Sequence, residues 1–197
     1  MRKKFQLIDE THQQTLKKLA EKAGKISDTE MVNELKRLIE KIRDDIPEKK
    51  RISYGRYSII KKMGQMFYPL LKENDIDIFE FAQPLFSCTE FDQFVRSLAV
   101  QLISFYGKES KDLDKVLAVF EEAAADDNWE MRECAAGFIR KLVRKYPAEM
   151  KTWYLKQTQS DSPLNRRFAS ESIRPVADNA WFEKSPDFCF TILKKLY

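Results

Sequence analysis

Two side chains in the C-terminal half of the chain, the indole of Trp129 and the carboxylate of Glu133, are four residues apart. On an α-helix, residues three or four apart are neighbours on one face. Continuing that spacing reaches Ala136, Arg140 and Arg144. A basic surface that contains an aromatic ring suits a phosphate backbone with stackable bases. We therefore interpret this face as a candidate nucleic-acid surface.

A second helix is expected to present a matching face farther along the chain. Its equivalent positions are Pro163, Arg167, Ser170 and Arg174. If the two helices stack side by side, arginines from both would surround Trp129 and Glu133. The lysines beside these arginines in the sequence would add further positive charge. Such a surface would attract a polyanion.

Each of these side chains also has a structural interpretation. Trp129, near a helix start, could be a hydrophobic plug between repeats, and Glu133 could pair with an arginine of the adjacent helix. Arg132 and Arg166 recur at one repeat position and could bridge neighbouring repeats, an interpretation that we favour for Arg132. The basic run at residues 49–51 is typical of a solvated loop.

Composition excludes several classes of catalytic site. The chain of 197 residues has one histidine, His12, so a His-rich zinc site and the HExxH motif are absent. Its five glycines form neither a G-x-G-x-x-G motif nor a P-loop. Cys88, Cys134 and Cys189 form no C-x-x-C, which favours three buried, reduced thiols. We expect neither a bound metal nor a cofactor.

Net charge and hydropathy do not identify the ligand of the protein. There are 35 Lys and Arg against 31 Asp and Glu, a formal net charge of +4. Many helical-repeat proteins are mildly basic, so this charge does not choose between DNA and protein ligands. No apolar run approaches the ~18 residues of a membrane span, and the N-terminus lacks a signal-peptide hydrophobic region. We expect a cytoplasmic protein that does not enter the membrane.

Apolar periodicity predicts helix after helix and no strand. An apolar stripe also marks a helix around residues 63–71. The other helices are expected at about residues 8–23, 28–43, 77–86, 91–106, 112–124, 128–145, 148–159, 163–177 and 186–196.

Three segments align as repeats. Each has a capping-type residue, Arg four positions later, Ala seven later and Ile eleven later. The capping residues are Asp92, Asn128 and Ser162, and the arginines are Arg96, Arg132 and Arg166. Because shorter helices lie between these segments, the period predicts two helices per repeat and an all-α, HEAT-like helical-repeat solenoid. We expect one continuous domain, with an N-terminal helical segment over residues 1–50 and repeats over 51–197.

The residues at 127–135, those at 162–175 and Trp181 resemble the DNA alkylation repair family. That family comprises HEAT-like-repeat DNA glycosylases and their non-catalytic relatives. The similarity covers roughly residues 90–197 and is strongest over 126–181. It implies a concave basic groove that holds duplex DNA. Active members release cationic N3- and N7-alkylated purines without a deep base pocket.

The resemblance also implies roles for particular residues. The family carries an aromatic and an acidic residue four positions apart, which Trp129 and Glu133 match as catalytic candidates. Because an alkylated purine leaves as a cation, the carboxylate would stabilise the oxocarbenium-like sugar or orient water, and the indole would attract the cation. Arg166 and Arg167 match a position that holds the DNA backbone, with Arg174 a weaker match.

Two alternatives to catalysis remain open. A non-catalytic member would bind duplex DNA through the same arginines without releasing a base. A protein-interaction scaffold would instead bind a peptide or an acidic protein on the concave face. In every case we expect a monomer.

Overall fold

The computed structural model describes residues 5–110, 112–174 and 180–196, and within these ranges every regular element is a helix. The all-α expectation is confirmed. A short 3-10 helix, Glu48–Lys50, follows the second α-helix. The α-helices are α1 (Glu10–Lys22), α2 (Asp28–Asp44), α3 (Arg56–Glu73), α4 (Ile78–Ser87), α5 (Gln93–Glu109), α6 (Leu113–Ala124), α7 (Trp129–Phe138), α8 (Arg140–Lys145), α9 (Pro147–Thr158), α10 (Pro163–Ser172), α11 (Ala180–Lys184) and α12 (Pro186–Leu193).

Each of the three aligned segments starts a helix with its predicted capping residue. Side-chain oxygens of Asp92, Asn128 and Ser162 accept main-chain N–H groups two or three residues later, at 2.9, 2.9 and 3.4 Å respectively. These bonds satisfy N–H groups that the first turn leaves unpaired. The aligned apolar positions are all buried, namely Ala99, Ala135, Ala169, Ile103, Ile139 and Ile173. Local helix starts and the core side of each repeat therefore follow the aligned pattern.

The chain divides into two compact units, Met1–Ile103 and Ser104–Tyr197. In the first unit α1 packs against α2 and α3, and α2 also contacts α4. In the second unit α6 packs against α7, while α9 packs against α10 and α12. The expected boundary at residue 50, between an N-terminal helical segment and the repeats of one continuous domain, stays a prediction.

The lone histidine joins α1 to the end of α2 within the first unit. The side chain of His12 is only 3% exposed; its Nδ1 lies 3.0 Å from Asp9 Oδ1 and its Nε2 lies 3.0 Å from Asp45 Oδ2. The main-chain N–H of His12 donates to the Asp9 carboxylate, which lowers the pKa of Asp9. The histidine therefore has a structural environment, fixed at both ring nitrogens.

A close approach between α3 and α5 depends on a glycine. A Cβ atom at Gly64 would overlap Oε1 of Gln101, which is buried and donates through Nε2 to the Lys61 carbonyl at 2.9 Å. No side chain larger than hydrogen fits without displacing the glutamine. This glycine therefore makes room for the buried Gln101 side chain.

The helix expected over residues 128–145 is interrupted, so the prediction of one continuous helix is wrong. α7 ends at Phe138, and Ile139 lies in a turn before α8. The Ser104 hydroxyl donates to the Phe138 carbonyl at 2.8 Å, while the Leu142 N–H bonds to Ile139 instead, at 2.9 Å. A side chain that inserts into the helical ladder bends the helix.

Two other helix ends fall earlier than predicted. The helix expected over residues 163–177 ends at Ser172, shortly before Pro175, because the residue before a proline disfavours the α conformation. The last part of that range lies outside the described residues. The helix expected over residues 186–196 ends at Leu193, where main-chain bonds to the third preceding residue close the final turn.

The three cysteines are reduced, and two of them, Cys134 and Cys189, are buried. The third, Cys88, is partly exposed, which corrects the expectation that all three are buried. Burial raises the pKa of the Cys189 thiol to about 11. Within the described residues, every helix is too short or too polar to span a bilayer.

Candidate functional site

α7 presents the predicted aromatic and acidic residues to solvent. Trp129 is the first residue of the helix and is 64% exposed, so it does not plug a gap between repeats. One turn later Glu133 is also exposed. Ala136, expected on the same exposed face, is buried, with only 3% of its surface accessible. The exposed face of α7 is therefore shorter than the spacing predicted.

A shallow cleft separates the start of α7 from α10. Its volume is about 30 Å³, space for roughly two water molecules and far less than a purine needs. Its walls combine two aromatic rings with two carboxylates and two guanidinium groups. The lining residues are Ala124, Trp129, Arg132, Glu133, Ala136, Leu164, Arg167, Phe168 and Glu171.

An ion pair crosses this cleft. Nη2 of Arg167 lies 4.0 Å from Oε1 of Glu133, with the two side chains 60% and 43% exposed. A pair this exposed and this long contributes at most ~1 kcal/mol, because water screens it and both side chains lose freedom. A ligand could displace either partner at small cost. The arrangement brings a carboxylate, a cation and an indole within one small region.

Arg166, the neighbour of Arg167, is directed elsewhere. Its Nη1 donates to the carbonyls of Ser160 and Asp161, at 2.6 and 2.9 Å. These two carbonyls belong to the loop that precedes α10. Arg166 therefore holds the helix start to its own loop through Nη1, and its contact with DNA stays a prediction.

Arg132 makes the same contacts at the start of α7. Its Nη1 donates to the carbonyls of Asp126 and Asp127, at 2.5 and 3.0 Å. The structural interpretation of Arg132 agrees with these bonds, but the guanidinium fastens its own loop rather than a neighbouring repeat. We call this shared arrangement the arginine clamp, in which the guanidinium of Arg132 or Arg166 binds the carbonyls five and six residues earlier.

The other arginines of the predicted site differ in their surroundings. Arg140 donates from Nε to the Ser172 carbonyl at 3.0 Å and from Nη2 to the Glu171 carbonyl at 3.1 Å. It thus binds the C-terminal end of α10, where the helix dipole favours a cation. Exposed Arg174 pairs with the Glu171 carboxylate at 3.2 Å, and Arg144 is exposed in the last turn of α8.

The structure thus brings Trp129, Glu133 and Arg167 together, and leaves Arg144 and Arg174 exposed. Sequence reasoning missed Glu171 and Phe168 as cleft residues. For Glu171 a signal existed, since it lies four positions after Arg167 and so shares its face. Among the described residues, no group of three or more His, Cys, Asp or Glu side chains could hold a metal ion.

Comparison with known proteins adds no relative: no family model matches the sequence, and no curated protein or solved structure matches the chain. The resemblance to the DNA alkylation repair family consequently stays a prediction, supported only by the residues that suggested it.

Proposed function

We propose that the protein binds duplex DNA on a HEAT-like solenoid surface and releases cationic alkylated purines at the cleft between α7 and α10. One observation carries this proposal: the exposed indole of Trp129 lies on the same face as the exposed carboxylate of Glu133, with Arg167 opposite. These are the groups that the resemblance implies for a site acting on a cationic base.

The chemistry that these groups support is hydrolysis of the glycosidic bond. The C1′–N bond breaks, its electron pair leaves with the base, and the positive charge of the alkylated purine is neutralised. Glu133 stabilises the oxocarbenium character that develops at C1′ and accepts the proton of the attacking water. Trp129 contacts the sugar and the cationic ring through its π face. The products are the neutral purine and an abasic sugar.

The size of the cleft limits how the base is held. With space for roughly two water molecules, it cannot enclose a purine, whereas it can hold the attacking water beside Glu133. The damaged base would therefore remain outside the protein. In this proposal the leaving group needs no acid, which is consistent with the structural environment of the only histidine.

The test is release of 7-methylguanine from methylated duplex DNA, measured by chromatography. We expect release by the wild type and a loss of at least about a hundredfold in Glu133→Gln, as for removal of one transition-state-stabilising group. DNA affinity should change little. Glu149→Gln, on an exposed position of α9, is the matched control and should keep full activity. A wild type that releases no alkylated base under any condition would exclude the catalytic proposal.

The ion pair between Glu133 and Arg167 favours a second candidate, DNA binding without catalysis, because the guanidinium partly neutralises the carboxylate. Binding through Arg144, Arg167 and Arg174 alone would neutralise three phosphates. The logarithm of affinity would then fall with the logarithm of salt at a slope of about −2.7, against about −4.5 for all five predicted arginines. Binding at the shallower slope without base release would support this candidate.

A further inference from the structure

A strong concentration of positive charge occurs in a segment of the sequence that contributes no residue to the cleft between α7 and α10. Residues 49–72 contain seven Lys and Arg and no Asp or Glu. Because the whole chain is only +4, the remaining residues together carry a net charge of −3. The positive charge of the protein therefore depends on this basic segment, which belongs to the first compact unit.

The segment begins inside a turn, residues 47–54, that is exposed almost throughout and that also contains Glu48. Main-chain bonds hold its shape: the N–H groups of Ser53 and Tyr54 both reach the Lys50 carbonyl, at 3.0 and 3.1 Å. Arg51 ties the turn to the end of α2 by donating from Nε to the Ile46 carbonyl at 3.1 Å. Lys50 lies over the ring of Phe5, with Nζ 4.4 Å from the ring centroid.

This fixed turn presents an apolar side chain to water. Ile52 is 98% exposed, more than any other large hydrophobic residue in the part of the chain that the structure describes, and it directly follows three consecutive cations. A loop held by its own hydrogen bonds, with an isoleucine at its tip, has the features of an apolar wedge. Proteins that bind the minor groove insert such residues between base steps while cations contact the phosphates.

We propose that residues 49–52 form a second DNA contact, in which Lys49 and Lys50 bind backbone phosphates and Ile52 inserts at a base step. Arg51 holds the turn in place. The contact lies in a different unit from Trp129 and Glu133, and it shares the ligand of the proposed function without depending on catalysis.

Charge and size favour nucleic acid over a lipid surface as the occupant. Even a whole myristoyl chain of about fourteen carbons gives only marginal, reversible membrane binding. The isoleucine side chain has only four carbons, and its immediate neighbours in the sequence are the polar residues Arg51 and Ser53. Isoleucine is, in contrast, one of the side chains that minor-groove proteins insert between base steps.

The experiment measures affinity for a duplex of about 20 base pairs over a range of salt concentrations by fluorescence anisotropy. The charge variant is Lys49→Glu/Lys50→Glu. The matched control is Lys17→Glu/Lys18→Glu, which changes net charge equally at exposed positions of α1 in the same unit. We expect the slope against salt to become shallower by about 1.8 in the charge variant, a loss of roughly 30-fold at 0.15 M salt, and to stay unchanged in the control.

Ile52→Ser separates the wedge from the cations. It should weaken binding by roughly tenfold without changing the salt slope, because the contact that it removes is apolar. Equal slopes for the charge variant and its control would overturn the proposal, as would wild-type binding to anionic phospholipid vesicles but not to duplex DNA. Failure of the catalytic proposal looks different: no base is released, yet the salt slope still depends on Lys49 and Lys50.

Discussion

The starts of α7 and α10 share their internal construction and differ on their outer faces. Both have a capping side chain, an arginine clamp and a buried alanine, at positions that align one to one. On the outer face, however, Trp129 and Glu133 of α7 correspond to Pro163 and Arg167 of α10. The repeat therefore fixes the backbone at both sites and leaves the exposed positions to vary.

The same comparison distinguishes two adjacent arginines, Arg166 and Arg167, that the sequence alone predicts to have the same role. Arg166 occupies a clamp position and binds main-chain carbonyls, whereas Arg167 faces the cleft and reaches Glu133. A contact that recurs in both helices indicates a structural role. The pair between Arg167 and Glu133 has no counterpart at the aligned positions of the other helix, so it does not belong to the shared construction.

The largest expected loss of stability is at the first aligned segment, where the equivalent arginine binds a carbonyl ten residues earlier instead of forming the arginine clamp. Arg96, at the equivalent position, is only 4% exposed; it donates from Nε to the Phe86 carbonyl at 2.8 Å and stacks on the Phe86 ring. Arg96→Ala should lower the free energy of unfolding by about 3 kcal/mol, through a lost charge-assisted hydrogen bond and lost packing. Chemical denaturation measures it, and a loss no larger than that of Arg166→Ala would contradict the role of burial.

Removing either arginine clamp should cause the next largest loss of stability. Arg132→Ala and Arg166→Ala should each cost about 2 kcal/mol, because each removes a charged donor to two carbonyls, and should lower Tm by roughly 4–8 °C. The two losses should agree within about 0.5 kcal/mol if the helix starts are equivalent. Arg167→Ala is the control at the adjacent position and should leave Tm nearly unchanged. Unequal losses at Arg132 and Arg166 would break the comparison.

Substitution on the exposed face of α7 should change DNA affinity and leave stability nearly unchanged. Trp129→Ala should change the free energy of unfolding by no more than about 0.5 kcal/mol, since the indole is mostly exposed. It should weaken DNA binding by about 1–3 kcal/mol if a base or sugar stacks on the ring. Calorimetry and anisotropy on one preparation give both numbers. A stability loss with unchanged DNA affinity would assign the tryptophan to the structural side of the comparison.

The last prediction concerns the order in which the three cysteine thiols react, and it involves no change in stability or affinity. Cys134 lies on the inner face of α7 and is buried, whereas Cys88 is partly exposed. Iodoacetamide at pH 8 should therefore label Cys88 first, and Cys189 should stay unlabelled because its pKa of about 11 keeps the thiol protonated. Peptide mass spectrometry reads the order. Labelling of Cys134 before Cys88 would show that the inner face of α7 opens readily.

Local sequence patterns predicted the helix starts because caps and apolar positions act within one or two turns. Asn128 and Ser162 illustrate this, as each accepts N–H groups from its own first turn. Trp129 and Glu133 were likewise placed together by spacing alone. The arginine clamp was predicted only in part. The recurrence of Arg132 and Arg166 indicated a structural role, but it did not identify the carbonyls that they bind.

Contacts between distant parts of the chain could not be predicted in the same way. The break after Phe138 depends on the hydroxyl of Ser104, 34 residues earlier. Arg140, the first residue of α8, binds the end of α10 more than 30 residues later, a partner that the spacing from Trp129 could not indicate. Periodicity assigns a residue to a face, but only packing decides which neighbour covers that face.

The fixed position of His12 has a spectroscopic consequence. Because it is the only histidine in the chain, its ring gives a single, unambiguous set of imidazole resonances. That ring is buried between α1 and the end of α2, so its chemical shifts report on the integrity of the first unit alone. Variants of the cleft in the second unit can be checked against this internal probe, without any label, to show that a lost activity is not a lost fold.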